Sequence, residues 1–299
     1  MTRDLAGYGA HPPHPHWPGG ARVAVSLVLN LEEGAEFAIA EGDDRNEAIY
    51  EVIDRLDGVA DPCLQSHFDY GTRVGWWRIM AVLQRYGVPC TVSACGRAVE
   101  RSPQLAQDAV RRGHEVSAHG WRWESHARMG EAEEREVIAR TVAAITHATG
   151  VRPVGWHTRS AASRHTRRLL MQEGGFLYDS DFYGDDLPFV LPGPQGRPHV
   201  VLPYAFDTND MQFQNTHRFV RAHDFSGYVN DAFDWLWREG EATPRMLSVG
   251  LHLRMLARPG RMAALEQMLE HMRARGQVWF ARRDAIARHW LATVPREEA

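Results

Sequence analysis

The sequence predicts an α/β fold, a (β/α) barrel of seven or eight parallel strands, and three observations predict it. Strand-like runs alternate with helical stretches from Arg22 to Trp290, with no repeat, low-complexity tract or linker between them. The first run, Arg22 to Asn30, is almost continuously apolar, as suits a strand buried on both faces. Ionisable residues, namely Glu32, Glu33, His119, His157, Asp179 and His252, recur at the carboxyl ends of these runs. A parallel barrel gathers such ends at one mouth. Residues 1–20 read as an extended arm and residues 21–299 as a single barrel domain.

The arm is rich in proline, which favours polyproline-like backbone. His11, His14 and His16 invite a metal reading, but stiffening by proline makes convergence on one ion awkward. Tyr8 and Trp17 are better read as anchors, pinning the arm across the barrel or a neighbouring subunit. The strand from Arg22 ends in Leu31-Glu32-Glu33-Gly34, an odd choice for packing, so the two carboxylates are read as functional. A helix is expected from Val74 to Tyr86, stopped by Gly87 and Pro89, and then a strand over Cys90 to Cys95. Ser102-Pro103 opens a helix that runs to Arg112. The next strand delivers His119, and a helix with an acidic first turn follows from Gly130 to Thr149. Val151 to Trp156 is a strand ending in His157-Thr158-Arg159. A helix over Thr166 to Glu173 precedes a short strand, Phe176 to Asp179. His199 to Pro203 is a strand and Phe225 to Arg238 an amphipathic helix. Arg245 to Leu251 delivers His252, and Arg258-Pro259 opens another helix. Gln277 to Phe280 and Asp284 to Trp290 close the pattern as strand and helix.

Composition excludes some classes of function. A net charge of −4 argues against nucleic acid or an anionic membrane as the main partner. All 34 basic residues are arginine, which rules out lysine Schiff bases and lysine nucleophiles. The odd cysteine count of 3, without a C-x-x-C pair, speaks against a disulfide framework. With Asp4 and prolines where a signal peptide needs an apolar run, a cytoplasmic location is expected. No stretch approaches transmembrane length.

His119-Gly120-Trp121-Arg122-Trp123 resembles the second motif of the polysaccharide deacetylases, the NodB-like superfamily. That motif, His-[Ser/Thr]-x-x-His, puts two imidazoles on one metal. Here His119 matches the first imidazole and Trp123 stands at the second, and an indole has no lone pair for a metal. The variant is similar to the branch containing the bacterial allantoinases and cyclic imide hydrolases. Further motifs match that branch in order: Asn30-x-Glu-Glu-Gly, Gly155-Trp156, Asp207-Thr208-Asn209-Asp210-Met211 and His252-x-Arg. His157 and the stretch from Arg159 to Ser163 depart from it.

The resemblance implies a deformed NodB-like barrel and hydrolysis of a carbon–nitrogen bond outside peptides. It makes Glu32 the general base, His252 the general acid and His119, with Arg159, a candidate to polarise the carbonyl. Glu33, Trp123, His157, Arg159, Asp179 and Asn209 are the expected substrate-binding residues, Asp179 as an orienter. No catalytic metal or other cofactor is expected. Were a divalent ion such as zinc bound at low affinity, Glu33 and His119 are the fallback ligands. The expected substrate is a small cyclic amide or imide, turned over by a cytoplasmic homo-oligomer without nucleic-acid or membrane partners. Trp121 and Trp123 are expected to supply flat walls for such a ring. The alternatives are N-deacetylation of a sugar polymer or amino sugar, and a non-catalytic carbohydrate-binding relic of the fold.

Overall fold

The computed structural model describes residues 4–49, 54–159, 161–214 and 219–294. Residues 1–3 of the arm and Ser160 of the divergent loop lie outside the described residues.

Among the described residues there are nine strands and ten α-helices, alternating along most of the chain. In order they are β1 (Val23–Leu31), α1 (Pro62–Tyr70), α2 (Trp76–Tyr86), β2 (Thr91–Ala94), α3 (Gly96–Arg101) and α4 (Pro103–Arg111). Then come β3 (Glu115–Ala118), α5 (Glu131–Thr149), β4 (Gly155–Trp156), α6 (Thr166–Glu173), β5 (Tyr178–Asp179), β6 (Phe189–Pro192) and β7 (Pro198–Val201). The chain ends with α7 (Ala222–Glu239), β8 (Arg245–His252), α8 (Leu253–Leu256), α9 (Pro259–Arg275), β9 (Val278–Phe280) and α10 (Arg283–Thr293).

One mixed sheet curls through the molecule in the order β6-β7-β5-β4-β3-β2-β1-β8. From β7 to β8 every pairing is parallel, and only the β6–β7 pair is antiparallel. This is the deformed (β/α) barrel, with seven parallel strands along this path and an eighth, β9, paired parallel to β1. β1 is its axis: all nine of its residues are buried, as its unbroken apolar run requires. β1 pairs with β8 over Val23 to Asn30 and with β2 only over Val28 to Leu31. β9 fills the place left beside Val23 to Val25. The seam between β7 and β8 is bridged rather than laddered, by an Asn209–Gly250 pairing and by the buried Arg283. The Arg283 guanidinium donates to the carbonyls of Leu202 and Pro203 and to Ser248 Oγ.

The arm packs on the chain's own barrel. Trp17 is buried against Trp279 and Trp290 and donates to the Arg245 carbonyl, and Tyr8 donates to the Pro188 carbonyl. The three cysteines are free, and no helix among the described residues is long and apolar enough to cross a membrane.

Several elements are additional to the sequence reading, among them the short helices α3 and α8. α1 precedes the expected helix, capped by the Asp61 side chain with Pro62 in its first turn, and a π-helical turn, Gly71–Gly75, joins it to α2. β6 is a further strand on the edge of the sheet.

Candidate active site

β1 runs straight into Glu32 and Glu33, and both are buried at the mouth of the barrel. His252 closes β8 directly across the ladder, where Asn30 and His252 are partners. His119 follows β3 two strands away on the other side. The register therefore brings two imidazoles onto one carboxylate. Glu32 Oε1 lies 3.4 Å from His252 Nε2 and 3.5 Å from His119 Nε2. Its other oxygen, Oε2, accepts from the Arg254 guanidinium at 2.8 Å.

His252 is gripped from behind by Asp210, a residue the sequence reading passed over in favour of its neighbour Asn209. Asp210 Oδ1 stands 2.6 Å from His252 Nδ1, and Oδ2 accepts the His252 backbone N–H at 2.7 Å. Burial alone lowers an imidazole, but the Glu32 and Asp210 carboxylates reverse this and raise His252 to about 10. Burial likewise pushes Glu32 upward, and the charges of His252 and Arg254 overcome it, holding Glu32 well below the usual carboxylate range. An ionised base thus faces a protonated acid.

His119 is oriented by the backbone: its Nδ1 lies 2.5 Å from the His157 carbonyl oxygen and must carry the proton there. Its other ring nitrogen, Nε2, faces Glu32 Oε1. The His157 ring stacks on His119 at 5.0 Å between centroids, with its Nε2 3.1 Å from the Tyr183 hydroxyl. Burial, followed by the charge of His119, drives His157 well below its ordinary value, so it is neutral.

Glu33 points the other way, toward α1. Burial outweighs the Arg254 charge and raises its carboxyl to about 7. It lies close against Gly71, where a Cβ would come within 2.4 Å of Glu33 Oε1 unless that side chain moved. Gly75, one π-helical turn on, lets the backbone approach Leu253, whose carbonyl oxygen would meet a Cβ at 2.4 Å. The two glycines dock the α1–α2 junction against Glu33 and α8.

The other expected binding residues are held by partners of their own. Trp123 is buried, with the Arg159 guanidinium 3.5 Å and the Arg254 guanidinium 4.7 Å from its ring centroid. Trp121 is no wall for a ligand: it packs against Gly96 beneath α5, with Arg140 over its ring. Arg159 donates to the Trp123 carbonyl at 2.7 Å and reaches Glu47 at 3.3 Å. Asp179 commits its oxygens to Arg167, at 2.7 and 2.9 Å, and to His199, at 2.8 Å. It braces β5 and α6, and Asp181 instead holds the turn after His157 by accepting from the Thr158 N–H and hydroxyl. Asn209 spends its amide on Tyr204 and its carbonyl on the Met211 N–H, sealing the seam. A separate cleft of about 220 Å³, lined by residues including Asp186, Asp207, Trp235 and Ser248, includes none of these catalytic candidates in its lining.

Comparison with known proteins fits this geometry. Residues 58–178 match the family model for polysaccharide deacetylase. A Schizosaccharomyces pombe protein named for polysaccharide deacetylases is 34% identical, over 98% of this chain and 98% of its own. The chain belongs to the polysaccharide deacetylase family. The family's peptidoglycan deacetylase of Helicobacter pylori is 26% identical, over 77% of this chain and 88% of its own. The crystal structure of Puue allantoinase superposes with a TM-score of 0.95 at 46% identity, covering 99% of each chain. These deacetylase and allantoinase relatives are hydrolases of carbon–nitrogen bonds outside peptides.

The residues present do not fit the metal of the family's two-imidazole motif. Trp123 brings an indole to the second imidazole position, and among the described residues no three His, Cys, Asp or Glu side chains converge as a ligand group. The Arg254 guanidinium, 2.8 Å from Glu32 and 3.7 Å from Glu33, already sets a cation against both carboxylates.

Proposed function

We propose that the protein opens the ring of a small cyclic amide or imide by hydrolysis, with water activated by Glu32 and no catalytic metal. The observation that carries this reading is the Glu32–His252–Asp210 line, with 3.4 Å and 2.6 Å between successive partners. A water donating a hydrogen to Glu32 Oε1, beside His119, would aim its lone pair outward at a bound carbonyl carbon. Glu32 takes the proton as the carbon–oxygen bond forms. His252, protonated at neutrality, gives its Nε2 proton to the departing ring nitrogen as the carbon–nitrogen bond breaks. Both groups already hold the protonation state their step requires.

The likeness to Puue allantoinase supports the substrate class. The altered stretch from His157 to Ser163 sets the specificity apart. Here His157 is tied to Tyr183 and Arg159 to Trp123, so the polar groups facing a ligand differ from a tyrosine and a glycine at these places. A site built to bond one ring rejects analogues that leave its polar groups unpaired, by about 10⁴ in favourable cases. Allantoin is therefore expected to be a poor substrate. A panel of hydantoins, dihydropyrimidines, cyclic imides, allantoin and acetylated amino sugars tests this. Turnover confined to cyclic amides or imides is the expected result. Acetate release from amino-sugar oligomers, with every ring left intact, would return the protein to deacetylation.

A further inference from the structure

The mouth of the barrel holds one residue to which the sequence assigns no role. Arg254 sits at the start of α8, two residues after the acid His252, with 0% of its surface exposed. Its guanidinium donates to Glu32 Oε2 at 2.8 Å and lies 3.7 Å from Glu33 Oε1. The aromatic rings of Phe68 and Trp123 lie 4.6 and 4.7 Å from its central carbon. Burying an arginine costs free energy unless it is paired and well seated. Here two carboxylates and two aromatic faces provide the seat.

We infer that Arg254 is the fixed cation of the active site, a positioning residue that compensates the charge of the Glu32 carboxylate and aims it. The inference rests on reading Glu32 as the base. A guanidinium suits the task because it stays charged at every working pH and its planar fork fixes direction as well as charge. It binds Oε2 and so leaves Oε1 turned toward His119 and His252. Trp123 acquires a reason in the same stroke. Where an imidazole would bind a metal, an indole offers its π face to the arginine. The indole at position 123 and the cation at position 254 are parts of one device. Arg159 also touches Trp123, yet its guanidinium donates to the Trp123 carbonyl and to Glu47.

Two variants separate charge from hydrogen bonding. Arg254→Gln keeps a donor for Glu32 and removes the charge, while Arg254→Lys keeps the charge and removes the fork. The first readout needs no substrate: infrared difference spectra of each form against the same form carrying Glu32→Gln report whether Glu32 is ionised. Taken across a pH series, the spectra are expected to show Glu32 gaining its proton at the lowest pH in wild type, slightly higher in R254K and clearly higher in R254Q. The second readout is the pH profile of kcat/KM on the best substrate of the panel. In R254Q the acid limb should rise by about 1–3 pH units, with kcat falling ~10²-fold or more, and R254K should lie between R254Q and wild type. Folded R254Q with Glu32 gaining its proton at no higher pH than in wild type, or R254Q as active as R254K, overturns the inference. Were R254Q unable to fold, R254K decides it alone, since a Glu32 protonated at pH 7 in folded R254K is equally fatal. A silent substrate panel would count against the proposed function and leave the infrared result standing.

Discussion

At the scale of single residues, the site works by setting protonation states with neighbours. Glu32 is kept ionised by His252 and Arg254, and His252 is kept protonated by Glu32 and Asp210, each against the pull of burial. Glu32→Gln should therefore fold normally and lose about 10²–10⁴-fold in rate. Near-wild-type turnover in a variant of unchanged melting temperature would place the base elsewhere. Asp210→Asn tests the other end of the line. An acid must hold its proton, so activity falls as pH rises through the pKa of His252. Beside the Glu32 and Asp210 carboxylates that pKa is about 10, and in the variant the alkaline limb should move down toward neutrality. A limb that stays in place would show that Asp210 only orients the ring. The sequence brought Glu32, His119 and His252 forward because residues at strand ends share one mouth. Asp210 and Arg254 lay within quoted motifs, Asp-Thr-Asn-Asp-Met and His-x-Arg, but nothing in one dimension tells which of two adjacent polar side chains turns inward. Asn209 turns to the seam and Asp210 to the acid.

At the scale of elements, strands and long helices were legible, because apolar runs and caps follow local physics. The helix expected over Thr166 to Glu173 has those bounds in the structure, and β8 differs only by including His252. β6 escaped notice, a four-residue segment that ends in proline and whose pairing across a turn no periodicity marks. α1 could have been found from Asp61 at the cap and Pro62 in the first turn. The π-helical turn could not, since Gly71 and Gly75 read as interruptions until their neighbours are known. Those glycines are contact surfaces, and their consequences differ. Gly71→Ala meets the end of the Glu33 side chain, which can swing away. Gly75→Ala meets the Leu253 carbonyl, which belongs to the backbone beside Arg254. Denaturant unfolding should show Gly75→Ala less stable by roughly 1–3 kcal/mol, the usual cost of overpacking, with Gly71→Ala the milder of the two. Equal and negligible losses would mean that this junction yields more easily than its geometry implies.

At the scale of the whole molecule, the barrel has a polar plug at the end opposite the mouth, and this makes a prediction about stability. Glu115 opens β3, buried, accepting from Thr91 Oγ1 at 2.7 Å, from the Tyr178 hydroxyl at 2.9 Å and from the Asp284 N–H at 3.0 Å. Burial, then the nearby Asp284 carboxylate, raises its carboxyl to about 7 from the 4.5 of an exposed glutamate. The sign follows from which state holds the proton. Between those two values the folded protein retains a proton that the unfolded chain has released, so stability falls as pH rises from about 4.5 to about 7. Glu33, raised over the same interval, adds to the slope. Glu115→Gln removes the charge and can keep the bonds: its carbonyl faces Thr91 and Asp284, while its amide donates to the Tyr178 oxygen. The variant should therefore be the more stable protein at pH 8 and show a shallower decline between pH 5 and 8, with the remainder carried by Glu33. Chemical denaturation across that range reads both effects. A variant less stable than wild type at pH 8, with an undiminished slope, would mean that Glu115 is held as a charged anchor for the start of α10, and that the plug stabilises the barrel through ionic contacts.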